Sequence, residues 1–175
     1  VHRFWSKRHS KLFSGLFSGM STLRVDSIRG QTADGTNRYV VQVVQHTGTS
    51  TNTTTSSSFV DTTCTGAITP TLSTSKILIT VSGGMEGTAG GGATESSEWK
   101  LFRGSTEVES STNGKRIYME SNQYVPLHSV FLDSPATTSS TTYTLKMKRA
   151  AGSGTVSWNR DGAQTWTLTL EEIAQ

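Results

Sequence analysis

TTYTLKMKRA at 141–150 and TWTLTLEEIAQ at 165–175 decide the fold. In the first, Tyr143, Leu145 and Met147 alternate with Thr144, Lys146 and Lys148. In the second, Trp166, Leu168 and Leu170 alternate with Thr165, Thr167 and Thr169. Successive side chains of a strand point to opposite faces, so each stretch reads as a strand with one dry and one wet face. Antiparallel pairing suits such half-wet strands.

Working outward, Lys76–Ser82 (KILITVS) is a core strand, with Ile77, Ile79 and Val81 on one face and Leu78 and Thr80 on the other. Tyr39–Gln45 (YVVQVVQ) is a strand with Val41 and Val43 on one face. Phe59–Thr69 reads as a bent or bulged strand broken at Gly66. Trp99–Phe102 and Thr106–Val108 flank Arg103-Gly104-Ser105, the spacing of a tight hairpin. Arg116–Glu120 and Tyr124–Asp133 add two strands, the second placed at an edge or kinked by Pro126. Between them, Thr47–Ser58 (10 of 12 residues Ser or Thr) and Gly83–Glu98 (six Gly in 16) read as exposed loops, the second mobile. Eight or so short strands with irregular links predict an all-β, antiparallel sandwich, jelly-roll-like, over residues 39–175.

Composition agrees. Of 175 residues, 25 are Ser and 29 Thr, and β-branched Thr favours strands over long helices. Cys64 stands alone, so no internal disulfide framework exists. No apolar run reaches the roughly 18 residues of a membrane-spanning helix. The net charge of +3 sits at the front: Arg3, Lys7, Arg8 and Lys11 lie within residues 1–19, which hold no acid. The other 156 residues carry 12 basic and 13 acidic side chains, a charge of −1, which argues against nucleic acid as a partner.

The chain divides into a basic leader (1–19), an N-terminal arm (20–38) and the sandwich (39–175). The leader reads either as a short amphipathic helix meeting a membrane surface or partner, or, the favoured reading, as sequence upstream of a start at Met20. Leu23, Val25 and Ile28 are spaced apolar positions in an arm that gains order only by docking on another surface.

Catalytic signals are thin. His46 and His128 lack metal-ligand spacing. No G-x-S-x-G elbow occurs, and SGGMEGTAGGGATESS fits no nucleotide-binding pattern. Cys64 reads as a small buried residue. Glu171 and Glu172, adjacent on a strand, point to opposite faces and make no carboxylate pair. Lys146, Lys148 and Arg149 form a small basic stripe without an interleaved aromatic on the same face, which reads as a solvated strand face rather than a nucleic-acid groove. Asn52-Thr53-Thr54 fits a glycosylation acceptor, a pattern that arises by chance in so Thr-rich a loop. These residues predict no enzyme, no cofactor and no bound metal.

STLRVDSIRGQT at 21–32 resembles the short leader of many tail-fibre and other structural proteins of marine tailed phages, cyanophages among them. SFVDTTCTGAITPTLSTSKILITVSGG, WKLFRGSTEV, LDSPATTSSTTYTLKMK and TWTLTLEEIAQ resemble, in order and spacing, the domain that follows it there. The resemblance implies a virion location, no enzymatic activity and a role as a fibre or appendage. Its partners would be other virion proteins and a host-surface glycan or protein. Fibres of this kind are usually trimers, and a homotrimer would bury the apolar second faces of strands such as Val40/Val44 and Leu78. Tyr118, Tyr124 and Trp158 are candidate receptor-contact aromatics, although core packing is the commoner fate of each. A capsid-decorating protein and a free carbohydrate-binding module are the alternatives.

Overall fold

The computed structural model describes residues 38–88, 95–109, 114–120, 122–160 and 164–175. The leader and nearly all of the predicted arm, with Leu23, Val25 and Ile28, lie outside the described residues.

Among the described residues every element is a strand and every pairing is antiparallel. Eight main strands are β1 (Val40–Gly48), β3 (Val60–Ile68), β4 (Lys76–Thr88), β5 (Glu95–Arg103), β7 (Lys115–Met119), β8 (Gln123–Asp133), β9 (Thr141–Ala151) and β11 (Trp166–Ile173). Short pieces β2 (Asn52–Thr54), β6 (Thr106–Glu107) and β10 (Thr155–Trp158) lie between them.

The pairings β1·β11, β3·β9, β4·β8 and β5·β7 couple the first main strand to the last, the second to the seventh, and so inward to the fourth and fifth. That nesting is one long antiparallel ribbon. Rolled up, it gives one sheet in the order β1-β11-β4-β8 and another in the order β3-β9-β5-β7. This is the strand arrangement of a jelly roll. The β2·β10 pair continues the ribbon between its outer two rungs. The chain enters β1 and leaves β11 at one end of the sandwich, where the links 69–75 and 134–140 also lie.

The core fills the space between the sheets. Ile77, Ile79, Val81, Leu168 and Leu170 face inward from one; Leu101, Tyr143, Leu145 and Met147 face inward from the other. These are the alternating positions of the sequence patterns, so the period-2 rule fixes which side is dry.

Two glycine-rich or hydroxyl-rich stretches are strand where the sequence suggests loop. β4 runs on through Gly83, Gly84 and Gly87 to Thr88, and Glu95–Glu98 opens β5. A Cβ on Gly83 would lie 2.3 Å from the Trp158 ring. Gly83 and Gly84 admit the Trp158 and Tyr124 rings against the backbone rather than supplying flexibility. Likewise the stretch 47–58 contains the end of β1 and all of β2, because its backbone pairs even where its side chains have nothing to bury.

β3 is bulged, as expected, but between Asp61 and Thr65 rather than at Gly66. Gly66 is needed for a different reason. The His46 ring from β1 occupies the space a Cβ would take, at 2.2 Å, and its Nε2 lies 3.0 Å from the carbonyl oxygen and 3.2 Å from the amide nitrogen of Ala67. Gly66→Ala is expected to cost about 1–3 kcal/mol through overpacking. Denaturant titration checks this; a wild-type midpoint would contradict the His46 placement.

A bulge between Val40 and Gln42 shifts the β1 register. Val44 therefore packs against the core, and Val43 is 58% exposed on the outside. The pairing of Val44 with Val40 on a second face, expected from simple alternation, is thus replaced by Val40 and Val43. Pro126 sits in β8, which among the described residues pairs with β4 alone, so on the open side its missing N–H breaks no ladder bond.

Candidate interaction surfaces

The outer face of the β3-β9-β5-β7 sheet carries a cross-strand charge ladder. Glu98 on β5 stands opposite Arg116 on β7 and Lys148 on β9. Arg116 Nε donates to Glu98 Oε1 at 2.6 Å, and Lys148 Nζ lies 2.9 Å from Oε2. Burial pushes the Glu98 carboxyl up, but the hydrogen bonds from Lys148 and Arg116 outweigh it and hold the group below its ordinary value. One row along, Lys146 pairs with Asp61 at 2.8 Å, and Lys100 with Glu107 at 2.7 Å.

The lysine stripe is not free of aromatics. Lys146 Nζ sits 4.7 Å from the Phe102 ring centroid, and Lys148 Nζ 4.9 Å from that of Phe59. Phe59 and Phe102 come from other strands and from the approach to β3, so no local window of sequence places them there. Arg149 turns away, donating to the Gly154 carbonyl at 2.9 Å. The lysines are matched by carboxylates within the sheet, which leaves little uncompensated positive charge for a phosphate backbone.

The three candidate aromatics separate. Tyr118 is 63% exposed on this outer face, and Arg116 Nη1 donates to its hydroxyl at 3.2 Å. Tyr124 is half-buried, its ring over Gly84. Trp158 is fully buried and belongs to the core, so it offers no contact surface. A surface tyrosine has few partners to lose, and Tyr118→Ala is expected to change stability by no more than about 0.5 kcal/mol.

Other chemistry-bearing residues are structural in their surroundings. Burial pushes the Cys64 thiol up to about 12, so it stays protonated at neutral pH. His128 is exposed on β8. Asn52 accepts a hydrogen bond from the Thr63 amide, which fixes the side chain of the glycosylation pattern. Among the described residues no three His, Cys, Asp or Glu side chains gather as a metal-binding group. A cleft lined by Trp99, Leu101, Lys115 and Phe131 holds about 10 Å³, room for a single water.

Buried carboxylates are what the sequence reading missed. Glu95 is fully buried and accepts from the Ser153 and Gly154 amides at 2.9 and 2.6 Å. Glu86 pairs with Arg160. Glu172 accepts from Thr71 N and Oγ1 at 2.9 Å each, from Leu72 N at 3.2 Å and from Gln42 Nε2 at 2.7 Å. Only Glu172 had a legible signal: it continues the inward set Trp166, Leu168, Leu170.

The outer face of the other sheet is different. Cross-strand registers set out three rows: Val40, Ile173 and Lys76; Val43, Glu171, Leu78 and Leu132; then Gln45, Thr169, Thr80 and Val130. Val40, Val43, Val130 and Leu132 are each about half exposed, at 50%, 58%, 47% and 52%. Tyr39, at the entry of the chain, is 50% exposed beside them. Clustered exposed apolar side chains of this kind mark contact surfaces.

No protein-family model matches the chain, and no curated protein matches it. Among solved structures the chain is similar to one in the "Structure of infectious bursal disease virus Gx strain", with 13% identity and a TM-score of 0.38. The match covers 77% of this chain and 40% of that one, so the present chain spans less than half of its length.

Proposed function

We propose that the chain is a structural subunit of a tailed-phage virion, a short tail fibre or appendage. In this reading the N-terminal arm docks on the particle, the sandwich is presented to the host surface, and the work done is contact rather than catalysis. The observation that carries the reading is the apolar outer face of the β1-β11-β4-β8 sheet, beside the point where the chain enters β1. A sandwich whose core is already filled gains nothing from that face alone; it pays off only against another surface. The phage-like segments of the sequence supply the kind of assembly. Charged side chains on the opposite sheet are largely spent on one another, which suits a durable exposed wall.

Antibody-gold labelling of purified particles tests it. Label on the tail is expected. Label confined to the head would replace the appendage by a capsid-decorating role, and unlabelled particles would remove the virion reading. Deleting residues 20–35 should leave the melting curve unchanged and abolish incorporation into particles. A truncated chain that still incorporates would end the docking role of Leu23, Val25 and Ile28.

A further inference from the structure

We infer that the outer face of the β1-β11-β4-β8 sheet is where a second copy of this chain packs, face to face about a two-fold axis. The inference rests on the face itself and not on the virion reading, and the two have separate readouts.

Three observations lead to a second copy. First, the apolar residues Val40, Val43, Leu78, Val130, Leu132 and Ile173 form one patch spanning four neighbouring strands, toward the end where the chain enters. The next row along the strands is Thr47, Thr167, Ser82 and His128, so the patch is bordered by polar residues on the side away from the chain entry. A contact surface needs that layout of apolar centre and polar rim.

Second, the patch carries one charge of each sign. Lys76 and Glu171 both point outward, diagonal to each other on β4 and β11. Neither forms an ion pair with any described residue, whereas other charged side chains of the sandwich do. A two-fold axis lying in the plane of the face, midway between Lys76 and Glu171, brings the lysine of each copy onto the glutamate of the other, so the surface can be complementary to itself.

Third, a three-fold ring is built head to tail and joins two different patches. The opposite outer face, crossed by the Arg116–Glu98–Lys148 ladder, is charged and ion-paired and is not a matching apolar patch. Two-fold pairing buries the same apolar patch on both copies.

The test is the mass of the full chain by light scattering at micromolar concentration, followed by variants. Twice the monomer mass of 18.8 kDa is expected. Leu132→Lys and Val43→Lys, both at exposed positions, should weaken association at least about tenfold with the melting curve kept. Lys76→Glu and Glu171→Lys should each weaken it by about tenfold through like-charge contact. Mixed one to one, these two single variants should form the heterodimer in preference to either homodimer, because both contacts then join opposite charges. A monomer overturns the inference, and the face is then covered by this chain's own N-terminal residues or by another protein. A trimer overturns the two-fold axis. A dimer indifferent to all four substitutions overturns the choice of face.

Discussion

Trp158→Ala is expected to destabilise the sandwich by about 3–5 kcal/mol, the range for removing a large aromatic from a core. The Trp158 side chain is fully buried, and its ring lies where a Cβ on Gly83 would be. Alanine would leave a cavity against a glycine that cannot fill it, and β4 could relax only by giving up its registers with β8 and β10. Urea unfolding followed by far-UV circular dichroism measures the loss without relying on the deleted fluorophore. Beside the near-silent Tyr118→Ala, the result separates core from surface among aromatics that look alike in sequence. A Trp158→Ala protein as stable as the wild type would refute the burial.

Glu172→Ala is expected to cost about 3 kcal/mol at neutral pH, since hydrogen bonds to a buried charged group contribute roughly 1.5–3 kcal/mol and several donors lose their acceptor together. The carboxylate ties the link 69–75 to β11 and to Gln42 on β1, closing the end of the sandwich where the chain enters and leaves. Burial alone would raise its pKa. Hydrogen bonds from Gln42, Thr71 and the Leu72 amide outweigh that and hold it at about 2, against an ordinary value of 4.5. A depressed folded-state pKa means that the unfolded chain takes up the proton first. The stabilisation is therefore complete above about pH 4.5 and is lost progressively as the pH falls toward 2. Melting temperatures of wild type and Glu172→Gln should converge over that interval. Parallel curves would show that Glu172 does not hold the link.

The proposed role as a virion subunit would use the apolar outer face as its assembly surface. The aromatic candidates fare unevenly under it. With Trp158 in the core and Tyr124 half-buried, glycan stacking on this domain would fall to Tyr118, whose hydroxyl is engaged by Arg116.

The strands were legible wherever a residue's neighbours in sequence set its environment. YTLKMK, TWTLTL and KILITVS alternate because one side of each is dry, and the structure keeps every one of those inward residues inside. Gly83 and Gly84 read as loop because two opposite physical needs use the same residue: freedom in a loop, and room for a ring on a flat strand. Trp158 and Tyr124, 75 and 40 residues away from Gly83 and Gly84, decide between them. The buried glutamates were hidden for a related reason. A carboxylate reads as surface until its donors are known, and those of Glu172 come from residues 42, 71 and 72.

By itself, then, the sequence determined that this chain is all-β, antiparallel and two-layered, because period-2 alternation is a local consequence of pleating at a water boundary. Only the tertiary structure decided the nesting of strands into a jelly roll, the Glu98 ladder and the apolar outer face. Each of these depends on which distant strand lies alongside, and a bulge of one residue in β1 is enough to turn Val43 outward and Val44 in.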